Sequence, residues 1–113
     1  MKKNLFIFTF LLGVFSLSAQ AQKQEKTITV EVQNNWNQAK ADAPVVINLH
    51  ELHAGFKVKS AVVMEGTKEI PSQLDDLNRD RKMDELVFVT DLPAHDRKTF
   101  QVTLSSEKSA KTY

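Results

Sequence analysis

The sequence predicts an all-β protein, a small antiparallel β-sandwich of about six strands. Three observations carry this. Short apolar segments recur at roughly ten-residue spacing with turn-forming residues between them. In several of these segments apolar and polar residues alternate, the period of a half-buried strand. Beyond residue 21 no stretch has the length and period of a packed amphipathic helix.

The elements follow in order. Residues 22–26 are a polar lead-in expected to be mobile. Thr27 to Gln33 places Ile28, Val30 and Val32 on one face and Thr29 and Glu31 on the other. Asn34 to Gln38 is turn chemistry, because Asn side chains bond nearby backbone and tolerate left-handed geometry. Ala39 to Ala43 has room for one helical turn at most. Pro44 opens a second strand, Val45 to Leu49. His50 to Phe56 reads as a short turn or loop that Gly55 ends. Val58 to Glu65 is a third strand. Gly66 and Thr67 turn the chain into a fourth, Lys68 to Leu74, which Pro71 marks as an edge or bulged strand. Glu85 to Thr90 is apolar on both faces and is therefore expected at the centre of a sheet. After a turn at Leu92 to Asp96, Lys98 to Leu104 turns Phe100, Val102 and Leu104 inward. The sandwich domain is thus residues 27–104, and residues 105–113 form a polar tail.

Residues 1–21 read as a secretory signal peptide and stand outside this fold. Lys2 and Lys3 precede an apolar run, Leu5 to Leu17. Ala19-Gln20-Ala21 supplies the small-x-small cleavage pattern. The run is shorter than the ~20 apolar residues that span a bilayer. A periplasmic or secreted location is expected, with no stable membrane anchor after cleavage. Losing Lys2 and Lys3 takes the basic residues from 15 to 13, against 14 acidic ones. The mature chain then has no basic excess to attract nucleic acid. There is no cysteine, which excludes disulfide bracing and thiol chemistry.

The densest chemistry lies between the fourth and fifth strands. Oxygen-bearing side chains fall at Asp76, Asn78, Asp80 and Asp84. Alternate residues of a tight loop turn several oxygens inward, and a hard cation takes six to eight of them. These four residues are the candidate calcium ligands, with the Lys82 carbonyl as a fifth. Calcium is the one cofactor the sequence suggests. Two features oppose tight binding. Arg81 sits where such a turn usually has glycine, and Arg79, Arg81 and Lys82 offset much of the negative charge. The alternative is a solvated hairpin loop whose carboxylates pair with its own bases and with backbone N–H groups.

Other constellations are weaker. His50 and His53 are three apart, whereas a zinc-binding helix places its histidines four apart, so they read as exposed loop residues. Trp36 is the aromatic that can stack on a sugar ring, or it caps the core. Asp75, Asp76, Asp80, Asp84 and Glu85 are the dense carboxylates available for acid–base work on a carbohydrate. No serine elbow or glycine-rich phosphate loop is present.

The run Glu69-Ile70-Pro71-Ser72-Gln73-Leu74-Asp75-Asp76, then Asp84-Glu85-Leu86-Val87-Phe88 and Asp91-Leu92-Pro93-Ala94, resembles the N-terminal part of an exported family, domain of unknown function 4861. Trp36-Asn37-Gln38-Ala39 followed by Pro44-Val45-Val46-Ile47 resembles that family's opening segment. The resemblance implies a galactose-mutarotase-like β-sandwich associated with bacterial polysaccharide use. It also implies a glycine-rich acidic loop, with glycine where this chain has Arg79 and Arg81. Family members are several times longer, so the resemblance implies a first, incomplete sandwich portion of a larger protein, either a truncated member of the family or a stand-alone lead domain, and no catalytic residue carries over. The expected function is that of an exported, non-catalytic module whose partner is a glycan or a neighbouring domain. The rival is a fragment of a carbohydrate-active enzyme, and a third reading is a calcium-stabilised structural domain.

Overall fold

In a computed structural model, residues 23–109 build two antiparallel sheets packed face to face. The signal-peptide expectation for residues 1–21 lies outside the described residues, as do residues 110–113 of the tail. The strands are β1 (Glu25–Gln33), β2 (Lys40–Asn48), β3 (Ser60–Glu65), β4 (Lys68–Ile70), β5 (Ser72–Asp75), β6 (Glu85–Leu92) and β7 (Arg97–Ser105). One sheet has the order β1-β7-β3-β4 and the other β2-β6-β5. The all-β sandwich expected from the alternation is the observed fold. Among the described residues no helix is long and apolar enough to cross a membrane.

Seven strands replace the expected six because Pro71 divides the fourth. Lys68–Ile70 pairs with β3 in the first sheet, and Ser72–Asp75 pairs with β6 in the second. Proline has no N–H to give a ladder, so the chain changes sheets there. Ala39–Ala43 holds no helical turn. Lys40 already pairs with Leu92, and a bulge before Ala43 puts Asp42 at φ 51°. The freed Asp42 N–H donates to the Asp91 carboxylate at 2.8 Å. A bulge of this kind lets a strand continue through a sequence that lacks alternation.

The lead-in and tail are also corrected at their inner ends. Glu25 and Lys26 pair with Ser105 and Leu104. The Ser106 N–H donates to the Gln24 carbonyl, and the Ser60 hydroxyl to the Glu107 carbonyl. His50 to Phe56 is not a plain loop: Leu49–Leu52 is a single 3-10 turn that buries Leu49 and Leu52.

The core lies between the sheets. Ile28, Val30 and Val32 of β1 and Phe100, Val102 and Leu104 of β7 face Val45, Ile47, Leu86 and Phe88 of the second sheet. Phe88 and Phe100 meet edge to face with ring centroids 4.9 Å apart and planes at 61°. Such a pair adds about 0.5–1.5 kcal/mol beyond area burial. β6 is central in its sheet, as its apolar character predicts. Its second face is not covered by another layer among the described residues, and Val89 stays 50 % exposed.

The pairing sets two opposite ends. Asn48 pairs with Glu85, and Lys40 with Leu92. The acidic loop and the 3-10 turn therefore share one end of the sandwich. The β1–β2 and β6–β7 connections share the other.

Candidate cation-binding loop

The acidic loop leaves β5 at Asp75 and enters β6 at Glu85. Its mouth is closed by the Asp84 N–H donating to the Asp75 carbonyl at 2.8 Å. Inside, the side chains hold the backbone. Asp76 Oδ1 accepts from the Asp80 N–H at 3.2 Å and Asp76 Oδ2 from the Arg81 N–H at 2.7 Å. Asn78 Oδ1 also accepts from the Asp80 N–H, and Asp80 Oδ1 accepts from the Lys82 N–H at 2.8 Å. Asx bonds of this type turn the chain tightly.

Two residues in that turn are left-handed, Arg79 at φ 63° and Arg81 at φ 70°. These are the positions where the resemblance implies glycine. The physical reason is that a residue without Cβ reaches this region at no steric cost. Here two arginines occupy it, at a cost that the surrounding hydrogen bonds offset.

The outcome is convergence. Asp76, Asp80 and Asp84 each offer an oxygen, and these atoms lie within 4.8 Å of one another. Asn78 sits in the same turn. The carboxylates do bond backbone N–H groups, as the solvated-loop alternative expects. Among the described residues, none of the loop's own basic side chains forms an ion pair with them. Arg79, Arg81 and Lys82 are all exposed. Asp75 and Glu85, the remaining dense carboxylates, face each other across β5 and β6 outside this cluster.

His50 completes the arrangement. Its Nε2 lies 2.7 Å from Asp84 Oδ1. The Leu77 N–H donates to Asp84 Oδ2 at 2.7 Å. The His50 hydrogen bond, then the Leu77 N–H, hold the Asp84 carboxyl below the usual carboxylate range. A carboxylate can accept these bonds and still present lone pairs to a cation. His50 was expected only as an exposed loop histidine. Its position follows from the Asn48–Glu85 pairing, which sets the start of the 3-10 turn beside the end of the acidic loop. The Leu49 N–H reinforces this by donating to the Asp84 carbonyl at 3.0 Å. His53 does not join the cluster.

Trp36 lies at the opposite end. The Lys40 ammonium stands 4.9 Å from the centre of its ring. Trp36, Asn37 and Gln38 line a surface hollow of about 300 Å³. Behind it Asn34 is fully buried. Its side-chain amide donates to the carbonyls of Gln38, Leu92 and Pro93, and its Oδ1 accepts from the Trp36 N–H.

Fold and loop define a class: a small antiparallel β-sandwich with an acidic Asx-braced loop between its sheet-crossing strand and its central strand. The family described as Domain of unknown function (DUF4861) matches residues 32–113, and the chain belongs to that family. No curated protein and no solved structure matches the chain.

Proposed function

We propose that this chain is an exported, non-catalytic β-sandwich module of a bacterial polysaccharide-using system, stabilised by calcium in its acidic loop. The observation that carries the calcium reading is the convergence of Asp76, Asp80 and Asp84 oxygens within 4.8 Å in a hydrogen-bonded turn. Three carboxylates and the Asn78 amide oxygen are a hard donor set suited to calcium. Carboxylates already tied to the loop's backbone suit a structural clasp, because each is oriented before the ion arrives. The export reading rests on the leader pattern of residues 1–21, and the polysaccharide reading only on what the sequence resemblance implies. Trp36, with Asn37 and Gln38 beside it, supplies the aromatic face and planar amides that a glycan contact uses.

Thermal unfolding in rising calcium tests the clasp. A ligand at 100 times its dissociation constant stabilises by about 2.7 kcal/mol, which raises Tm by about 10 °C or more in a domain of this size. Asp80→Asn should abolish that rise. An unchanged Tm at millimolar calcium overturns the reading. Glycan binding to the same protein, with Trp36→Ala as control, tests the polysaccharide part separately.

A further inference from the structure

We propose that a pocket beside the acidic loop is a binding site for a small organic anion with an apolar body. The pocket measures about 330 Å³, within the range of small-molecule sites. It lies between the 3-10 turn, the segment that follows it, and the C-terminal half of the acidic loop. Leu49 and Val58, both buried, and Phe56 and Met83, both half-buried, provide its apolar surface. Lys57 and Lys82 also line it and are exposed.

The charge balance decides the ligand class. The lining contains no Asp or Glu; of its two histidines, His50 and His53, His50 is engaged by the Asp84 carboxylate at 2.7 Å, just outside the lining. Among the described residues neither lysine ammonium has an ion-pair or hydrogen-bond partner. Each therefore has three donors to offer an incoming anion. A cation is disfavoured by the two ammonium groups. A neutral polyol would leave Leu49, Phe56, Val58 and Met83 unmatched. A carboxylate or sulfonate attached to an aromatic ring or a short alkyl chain satisfies both halves. Phe56 and Met83 take the body, Met through its polarisable thioether, and the lysines take the charge.

The frame is pre-set. The Leu49 N–H is held by the Asp84 carbonyl and the His50 N–H by Asn48 Oδ1. The Lys26 ammonium ties the carbonyls of Leu52 and His53 to β1, at 2.8 and 3.3 Å. The Lys59 N–H, just past Val58, donates to the Ser105 carbonyl at 2.8 Å. A site held by its own hydrogen bonds loses less entropy on binding. No step here requires a bound cation. Lys82 contributes its side chain alone, so the site stands independently of the calcium reading.

The test is an NMR chemical-shift titration of the full chain in calcium-free buffer, with naphthoate as the anionic probe and naphthylmethanol as its neutral counterpart. Naphthoate should bind at sub-millimolar concentration and shift the amides of Leu49, Val58 and Met83. Naphthylmethanol should bind about ten-fold more weakly, the equivalent of about 1.4 kcal/mol. In the double variant Lys57→Ala/Lys82→Ala, naphthoate should fall to the level of naphthylmethanol, while naphthylmethanol binding is unchanged. Both lysines are exposed, so the variant keeps its fold, checked by its amide spectrum. Equal affinity for the two probes, an unaffected double variant, or no shifts at millimolar naphthoate would overturn the proposal.

Discussion

The two ends of the sandwich use the same side-chain chemistry for opposite purposes. At the β1–β2 end Asn34 is fully buried, and each of its polar atoms is matched to backbone from two connections. At the acidic-loop end Asp76, Asn78 and Asp80 also bond backbone N–H groups, but within one segment and close to solvent. A buried amide with every partner present acts as a lock, because any missing partner leaves a desolvated group unpaired. A shallow cluster of like charges adds little to the fold by itself. Its carboxylates repel one another, and what relieves that repulsion is a proton or a cation. Asn34 thus closes its end from within, with the Trp36 hollow left at the surface above it, while the shallow carboxylates at the open end leave room for an ion.

The largest expected effect is at the closed end. Asn34→Ala strips partners from three carbonyls and one N–H, and should cost about 3 kcal/mol. Denaturant unfolding should show a lower midpoint with an unchanged slope, and Tm should fall by more than ~10 °C. A loss under ~1 kcal/mol would end the claim that this end is a lock. Calcium should not rescue the variant, since the ion acts at the other end.

The next effect is the acid response of Asp84. Its folded carboxyl ionises below the ordinary value because of His50 and the Leu77 N–H. Its contribution is therefore fully present above the unfolded pKa of about 3.9 and is lost as pH falls through the lowered folded value. Asp84→Asn should flatten the acid limb of a stability-against-pH curve, with variant and parent converging at the lowest pH. Parallel curves would show that the Asp84 carboxyl carries no linkage.

The smallest effect is at Arg81, which is held at φ 70°. In Arg81→Gly the relief of the left-handed conformation and the greater freedom of the unfolded chain oppose each other. The net change without calcium should stay below about 1 kcal/mol. Removing one positive charge beside the cluster should tighten calcium binding about two- to three-fold, measured by calorimetric titration. Weaker binding would mean that the arginine supports the turn.

Much of the fold was legible. Strands β1 and β7 bury one face only, so their apolar residues alternate, and Ile28, Val30, Val32, Phe100, Val102 and Leu104 are core as expected. The bulged start of β2 was not legible, because Lys40-Ala41-Asp42-Ala43 has no alternation and becomes strand through its pairing with β6 and the Asp91 carboxylate. Pro71 by itself marks an edge or bulged strand, and in the fold it is the crossing point between two sheets. At the loop, the spacing of Asp76, Asn78, Asp80 and Asp84 was visible. The contribution of His50 was not, since it comes from a residue 34 positions away in sequence.

What the sequence by itself determined is therefore local: periodicity, turn chemistry and the spacing of the acidic oxygens, all set by neighbours a few residues apart. Tertiary structure alone decided which polar residues are buried and which long-range partners meet. Asn34 became a lock because β6 ends beside it. His50 reached Asp84, and Leu49, Phe56, Val58 and Met83 came to share one pocket, because strand register places distant segments at one end. Pairing across the sheet, and not composition, makes those contacts, and one residue of slip would turn every side chain to the other face.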